Sequence, residues 1–410
     1  MKVAVLVGKF PILSETFILN QITGLIDRGH DVTIFAMEKA EHVYHDDIMR
    51  YDLLSRTKYP EPVPLGKLRR LARCTGESVN WARVSPMHGL RSIALSLPFD
   101  SRGVAHLMTS KMLRGQTFDI MHCHFGFMGK RAAKLAAMRL LDYPFLTSYH
   151  GIDLNFGLQP NEYKQLHQLG ALFTVNSEFS RKRALELGCP EKRIALLPVG
   201  LHPDYFAFAE RRLDGDGVLR ILSVARLIKA KGIGTAIEAI HLLNTKGLQI
   251  RFDIVGDGPL RAELERQSAK LGLQQVVTFH GSLVQQEVRK RFSEAHIFVL
   301  PSIPSGDGLE GQGLVLQEAQ SMGLPVIASD WAGIPEGLES GKSGYLFPPG
   351  DSEALADRIK LLAKNHLQWP EMGRVGRRLV ETRYDVDRLN DKLVDLYTEV
   401  CADHPRPSSA

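Results

Sequence analysis

The sequence predicts an α/β chain of two Rossmann-like domains. Three observations carry this reading. The chain opens on an apolar strand, a helix and a second strand. Residues 297–328 repeat that order around a glycine-rich loop. A length of 410 residues is enough for two α/β domains, each with its own core.

Met1–Gly8 reads as a strand closing on glycine, and Lys9–Leu13 as a loop. A helix begins at Ser14 or Glu15, places Phe17, Ile18, Ile22 and Leu25 on one face and ends near Gly29. Asp31–Phe35 is the next strand. This βαβ opening lacks G-x-G-x-x-G, so it does not point to a dinucleotide. Arg50–Arg114 has no clear period. Within it Lys67, Arg69, Arg70 and Arg73 interleave with Leu65, Leu68 and Leu71. A basic amphipathic helix of that kind suits a membrane surface, and equally a solvated helix packed on its own domain. Phe118–His124 is a strand. His122 and His124 have the spacing of a metal pair, but no third ligand is near in sequence, and no metal is expected. Pro144–Tyr149 is a strand that ends in His150-Gly-Ile-Asp153. His150 therefore sits at the carboxyl end of a strand, where open α/β sheets bind ligands. Asp153 reads as a support for the loop. Phe173–Asn176 is a strand, Ser177 caps the following helix, and Ile194–Pro198 is the last strand of a first domain taken as residues 1–203. Residues 204–218 carry charge and glycine without an apolar period and are assigned as the linker, with Asp214-Gly-Asp216 as a solvated turn.

The second domain, residues 219–384, opens on Leu219–Val224. Arg226 and Lys231 follow, five residues apart, between a strand end and a helix start. Two such cations suit a diphosphate, because Arg forks onto two oxygens while Lys acts as a point charge; ordinary surface charges fit the same spacing. Phe252–Leu260 is a strand and a turn holding Gly256 and Gly258. Val276–Gly281 is the next strand. Ile297–Leu300 is a short buried strand stopped by Pro301. The loop after it carries Gly306, Gly308, Gly311 and Gly313, and leads into a helix patterned by Leu314, Leu316, Ala319 and Met322. Unpaired N–H groups at such a helix start stabilise an anion. Glu310 and Glu318 flank that start with seven residues between them, and a carboxylate accepts hydrogen bonds from hydroxyls. Phosphate held by backbone and hydroxyls held by carboxylates together describe a sugar nucleotide. An ordinary βα loop with two solvated glutamates has the same spacing. Val326–Ala328 is the next strand, Asp351 or Ser352 caps a helix, and helices continue to about Cys401, with residues 402–410 a polar tail.

Composition is that of a globular protein, with 44% hydrophobic and 24% charged residues. No apolar stretch is long enough for a membrane span or a signal peptide, so a cytoplasmic location is expected. The four cysteines form no C-x-x-C pair and read as reduced, structural thiols. The net charge of +5 is uneven, because residues 50–139 hold 16 Lys/Arg against 5 Asp/Glu. With no recognition motif, nucleic acid is not a favoured partner. An anionic membrane face or a diphosphate-linked acceptor fits the charge better.

Glu310-Gly-Gln-Gly-Leu-Val-Leu-Gln-Glu318 resembles the E-x7-E motif of retaining GT-B glycosyltransferases of family 4. Phe10-Pro-x-Leu-Ser-Glu-Thr-Phe17 is similar to the opening of family-4 enzymes that build colanic-acid-like and amylovoran-like exopolysaccharides. The resemblance covers most of the chain; Gln312, where many relatives carry an aromatic or aliphatic residue, is a mild departure. It implies two domains facing across a cleft and a last helix, residues 385–401, crossing back to the first. It implies sugar transfer from a nucleoside diphosphate sugar, without a metal or other cofactor, to a saccharide or lipid-linked saccharide at the inner membrane face. His150 would meet the donor sugar or β-phosphate, Arg226 and Lys231 the pyrophosphate, Glu310 the sugar hydroxyls and Glu318 the ribose. Gly256, Gly258, Leu283, Gly311, Gln312, Gly313, Leu314 and Val315 would complete the donor site. Lys9, Phe10, Pro11, Ser14, Glu15, His124 and Asp153 would lie at the cleft on the acceptor side. A GT-B epimerase or phosphorylase, and a catalytically silent nucleotide-sugar-binding scaffold subunit, are the rival readings.

Overall fold

The computed structural model describes residues 1–12, 15–40, 45–63, 66–96, 101–155, 157–306 and 310–404. Apolar runs too short for helices form two sheets. The first contains β1 (Lys2–Phe10), β2 (Asp31–Lys39), β3 (Thr57–Lys58), β4 (Ile120–His124), β5 (Phe145–Tyr149), β6 (Leu172–Val175) and β7 (Ile194–Leu196), in the order β3-β2-β1-β4-β5-β6-β7. The second contains β8 (Leu219–Val224), β9 (Ile250–Val255), β10 (Val277–Gly281), β11 (Ile297–Leu300), β12 (Val326–Ser329) and β13 (Gly344–Phe347), in the order β10-β9-β8-β11-β12-β13. Every pairing within the two sheets is parallel. Parallel sheets are covered on both faces, which is why β4, β5, β11 and β12 are buried along their whole length. The α/β, two-sheet expectation is met.

Strand order reverses between β1 and β4 in the first sheet and between β8 and β11 in the second. At such a switch point the connections leave in opposite directions and open a crevice at the carboxyl ends of the strands. His124 and His150 stand at or just beyond the ends of β4 and β5, Arg226 just beyond β8, and Glu310 in the loop after β11.

Several details differ from the sequence reading. β1 runs two residues past Gly8, because Lys9 and Phe10 pair with Glu38 and Lys39. Residues 204–218 are not a free linker but packed on the second domain. Phe206 joins its core, and buried Arg211 donates to the carbonyls of Ser293 and Met322. Asp214-Gly-Asp216 is the exposed turn expected, and both carboxylates pair with Arg220. The chain passes between the domains just before this segment. Leu201 N–H donates to Tyr384 O at 2.9 Å and Val386 N–H to Leu201 O at 3.0 Å, so the outward and returning crossings lie side by side. Gly200 permits this approach, as a Cβ there would stand 2.6 Å from Val386 Cα.

The returning segment is the helix Val386–Asp403, capped by Asp385. It docks on the first domain. Leu393, Tyr397 and Val400 enter the core around β1, and Arg28 donates to Asp391 at 2.7 Å. A second bond set joins the domains at helix Glu178–Glu186. The Glu336 carboxylate accepts the N–H groups of Glu178 at 2.8 Å and Phe179 at 2.9 Å, so a residue of one domain caps a helix of the other. Glu336→Ala is expected to cost about 1 kcal/mol of stability and to loosen domain closure, read as a lower melting temperature and a larger radius of gyration in solution scattering.

Candidate functional site

The second domain supplies the charged half. After β8 the chain makes a tight turn, Lys229–Lys231, which ends at Gly232 with φ of +60°. A Cβ on Gly232 would fall 1.9 Å from Pro301 O, so only glycine lets this turn press against the end of β11. That contact sets Lys231 against the loop, where its ammonium is bonded to the Glu310 carboxylate. Ser302 Oγ donates to the same oxygen at 3.3 Å. Burial acts to raise the Glu310 pKa, but the Lys231 ion pair, the Ser302 bond and the Arg226 charge hold it below the ordinary carboxylate value. Arg226 itself is exposed. Helix Leu314–Ser321 starts at Gly313, which takes a left-handed conformation with φ of +76°.

Glu318 is different. It lies on the same helix, half-buried, and lines a cavity of about 100 Å³ with Thr16, Asn20, His202, Tyr205 and Leu314. Among the described residues no cation is paired with it, and burial pushes its carboxyl up to about 7. The two glutamates of one motif are therefore held in opposite states, one ionised by a partner and one poised near neutrality.

The first domain supplies a column of imidazoles. His122 and His124 stack at 4.2 Å between ring centroids, and His124 stacks on His150 at 5.4 Å. His124 Nδ1 meets His150 Nε2 at 3.1 Å, so one proton lies between the two rings. Phe17 and Phe125 pack on His150 at 4.6 and 4.8 Å. His122 bridges Tyr397 Oη at 2.7 Å and Ser148 Oγ at 2.6 Å. Burial lowers the pKa of His122 and of His150 from 6.5 to about 3, and burial with the neighbouring imidazoles drives His124 well down too. These rings are neutral in the fold but take up protons when unfolded below pH 6.5. Stability is therefore present in full above that pH and lost as pH falls from 6.5 toward 3. Melting curves across this range should show the loss, and His124→Gln should make the acid limb shallower.

The structure separates the remaining candidates. Asp153 is buried rather than at the cleft, and accepts N–H groups of Gly126, His150 and Gly151 at 2.8 to 3.0 Å. It holds the His150 loop, as its reading as a support requires. His124 is also buried, one layer behind His150 rather than at the cleft edge. Phe10 and Pro11 are buried, Phe10 in the first-domain core, because the lengthened β1 turns Phe10 inward. Lys9 is exposed, Glu15 is half-buried with its carboxyl pushed up to about 7 by burial, and Ser14 lies outside the described residues. Gly308 also lies outside them. The Gln312 side chain does not face a ligand. Its Oε1 accepts from Val199 N–H at 2.7 Å and its Nε2 donates to Val199 O at 2.8 Å, which ties the motif to the first domain. Gly311 lies against Asn176 of the first domain. Gly256 N–H donates to Gly281 O at 2.8 Å and Gly258 N–H to Asp257 Oδ1 at 2.7 Å, while Leu283, Leu314 and Val315 are half-buried against the second core. Ser302, Glu336, Phe17 and Tyr397 were not singled out as site residues from sequence. Their partners are remote in the chain, and only the Phe17 motif signalled any of them. Among the described residues no three His, Cys, Asp or Glu side chains converge as a metal site.

Residues 14–205 match the family described as Glycosyltransferase Family 4, and residues 209–378 match Glycosyl transferases group 1. AmsK of Erwinia amylovora, an amylovoran biosynthesis glycosyltransferase, is 34% identical over 400 residues, covering 94% of this chain and 96% of AmsK. This chain belongs to glycosyltransferase family 4. WcaL of Salmonella typhimurium, a glycosyltransferase whose name assigns it provisionally to colanic acid biosynthesis, is 34% identical to this family 4 member over 88% of the chain and 90% of WcaL. Among solved structures, Anabaena HepE in complex with UDP superimposes with a TM-score of 0.72 at 16% identity, covering 97% of this chain and all of HepE. Sucrose-phosphate synthase from Thermosynechococcus elongatus gives 0.72 at 18% identity over 98% of this chain. These likenesses show the GT-B fold of the family 4 chain.

Proposed function

We propose that this chain transfers a sugar from a nucleoside diphosphate sugar to a hydroxyl of a saccharide, with the anomeric configuration retained. The acceptor in this reading is a lipid-linked saccharide of surface or exopolysaccharide synthesis, presented at the inner membrane face. The single observation that carries it is the Lys231–Glu310 pair beside Arg226 at the switch point of the second sheet. The sugar C1–diphosphate bond breaks, a bond from C1 to the acceptor oxygen forms and the acceptor hydroxyl's proton passes to the departing diphosphate oxygen, so negative charge develops on the diphosphate before that proton arrives. Arg226, Lys231 and the helix start at Gly313 face that charge, which is stabilisation at the leaving group without a metal. Glu310 holds donor sugar hydroxyls and positions Lys231. Glu318 holds the ribose hydroxyls. His150, fixed by His124 and Asp153, presents its remaining Nδ1 to the donor sugar or its β-phosphate. A cavity of about 100 Å³ at Glu318 is smaller than a nucleotide needs, and in this reading the domains part for donor entry.

The test is a thermal-shift panel of UDP, GDP, ADP and their sugar conjugates, with and without EDTA. A ligand at a hundred times its Kd adds about 2.7 kcal/mol. An EDTA-insensitive shift with one base, and nucleoside diphosphate release only when acceptor is present, are the expected results. No shift with any nucleotide moves the reading to a scaffold subunit, and release or turnover without acceptor moves it to an epimerase or phosphorylase.

A further inference from the structure

Between β3 and β4 the chain inserts two helices, Lys67–Ala82 and Pro86–Ser96, which pack on each other and on the helix Ser101–Leu113. This hairpin is amphipathic the wrong way round for a simple packing element. Its helices meet through small and polar groups. Ser92 Oγ donates to Ser78 Oγ at 2.8 Å, both buried, and Gly89 lies so near that a Cβ would stand 2.7 Å from Ala82 Cβ. Trp81 and Leu95 enter the first-domain core, but the other large apolar side chains of the hairpin face out. Leu68 is 83% exposed and Leu90 62%, with Val79, Val84 and Met87 also exposed. Seven of the fifteen large hydrophobic side chains exposed among the described residues fall within residues 67–96. Leu68 and Val79 share a stripe of the first helix, eleven residues apart, and Met87, Leu90 and Ile93 share a stripe of the second at spacings of three.

Charge surrounds the stripes. Residues 67–96 hold six Lys/Arg and one acidic residue, Glu77, which is buried and paired with Lys111 and Arg114. Lys67, Arg69, Arg83 and Arg91 have no carboxylate partner among the described residues. We infer that this hairpin is a docking surface for an anionic lipid bilayer, its outward leucine, valine and methionine side chains entering the interface and its flanking cations meeting lipid phosphates. An exposed apolar stripe rimmed by cations has that complement, because the apolar chains need a water-free phase and the cations an anionic surface. A second copy of the chain is disfavoured as occupant, since two such faces would bring like charges together. The inference stands apart from the donor assignment, since it uses none of those residues.

The test is sedimentation of the full chain with vesicles of phosphatidylcholine alone and of phosphatidylcholine mixed equally with phosphatidylglycerol. The chain should sediment with the mixed vesicles, and salt should release it. The double variant L68S/L90S should bind about tenfold less or weaker still, with an unchanged melting temperature because both side chains are exposed. The variant R69E/R83E should lose the preference for the anionic vesicles. Failure to sediment, or equal binding to both vesicles, overturns the inference. A wild-type dimer that L68S/L90S converts to monomer also overturns it, assigning the face to a second copy.

Discussion

Lys231→Ala is expected to abolish transfer and to lower stability by about 1–3 kcal/mol, the cost of leaving one partner of a part-buried ion pair alone. Glu310 is the partner left behind. With Lys231 present its carboxyl is held below the ordinary value; without it, burial is opposed only by the Ser302 bond and the Arg226 charge, and the pKa rises. The paired variant K231M/E310Q separates the two roles. Replacing both charges by neutral groups should restore most of the lost stability, but not transfer, because the diphosphate has lost a cation. Thermal melts and initial rates measured on the single and double variants check this. Equal activity in K231A and the native chain would remove Lys231 from the leaving-group site.

Glu318→Ala should raise the donor Kd about tenfold to a hundredfold, the loss of one or two hydrogen bonds to a charged group, with the fold intact. The carboxyl is poised near 7 by burial. Ribose hydroxyls donate to the ionised form, so binding must displace a proton at lower pH. Donor affinity of the native chain should therefore fall as pH drops below about 7, while the variant's affinity stays flat there. Calorimetric titration of donor nucleotide at several pH values reads both effects. A Glu318→Ala chain that binds donor as the native chain does would end the ribose role.

Much of this architecture was legible because buried parallel strands are continuous apolar runs. Leu219–Val224 and Ile297–Leu300 were read with the bounds observed, and Ser177 caps its helix as expected. Lys231 and Glu310, placed near strand ends from sequence, come together as an ion pair with the Arg226 charge nearby. What failed were features set by contacts distant in sequence. Nothing local in Gln312 signals that its amide will bond to Val199, or that residues 204–218 will be held by Arg211. The hairpin at 67–96 resisted reading for a different reason. Its leucines were taken as the side of a helix that faces either lipid or protein, and the buried side turned out to be made of Cys74, Ser78 and Trp81.

The docked helix Val386–Asp403 has a consequence for how the protein is made. Its Tyr397 completes the hydrogen bonds of His122, and its apolar side chains close the core around β1. The half of the chain that leaves the ribosome first is thus the half that is finished last. A transcript truncated after residue 385 would encode every strand of both sheets, yet yield a first domain with an open apolar groove and an unsatisfied buried histidine. Such a product is a substrate for chaperones and proteases rather than a free-standing domain. The layout makes completion of synthesis a condition for a sealed first domain.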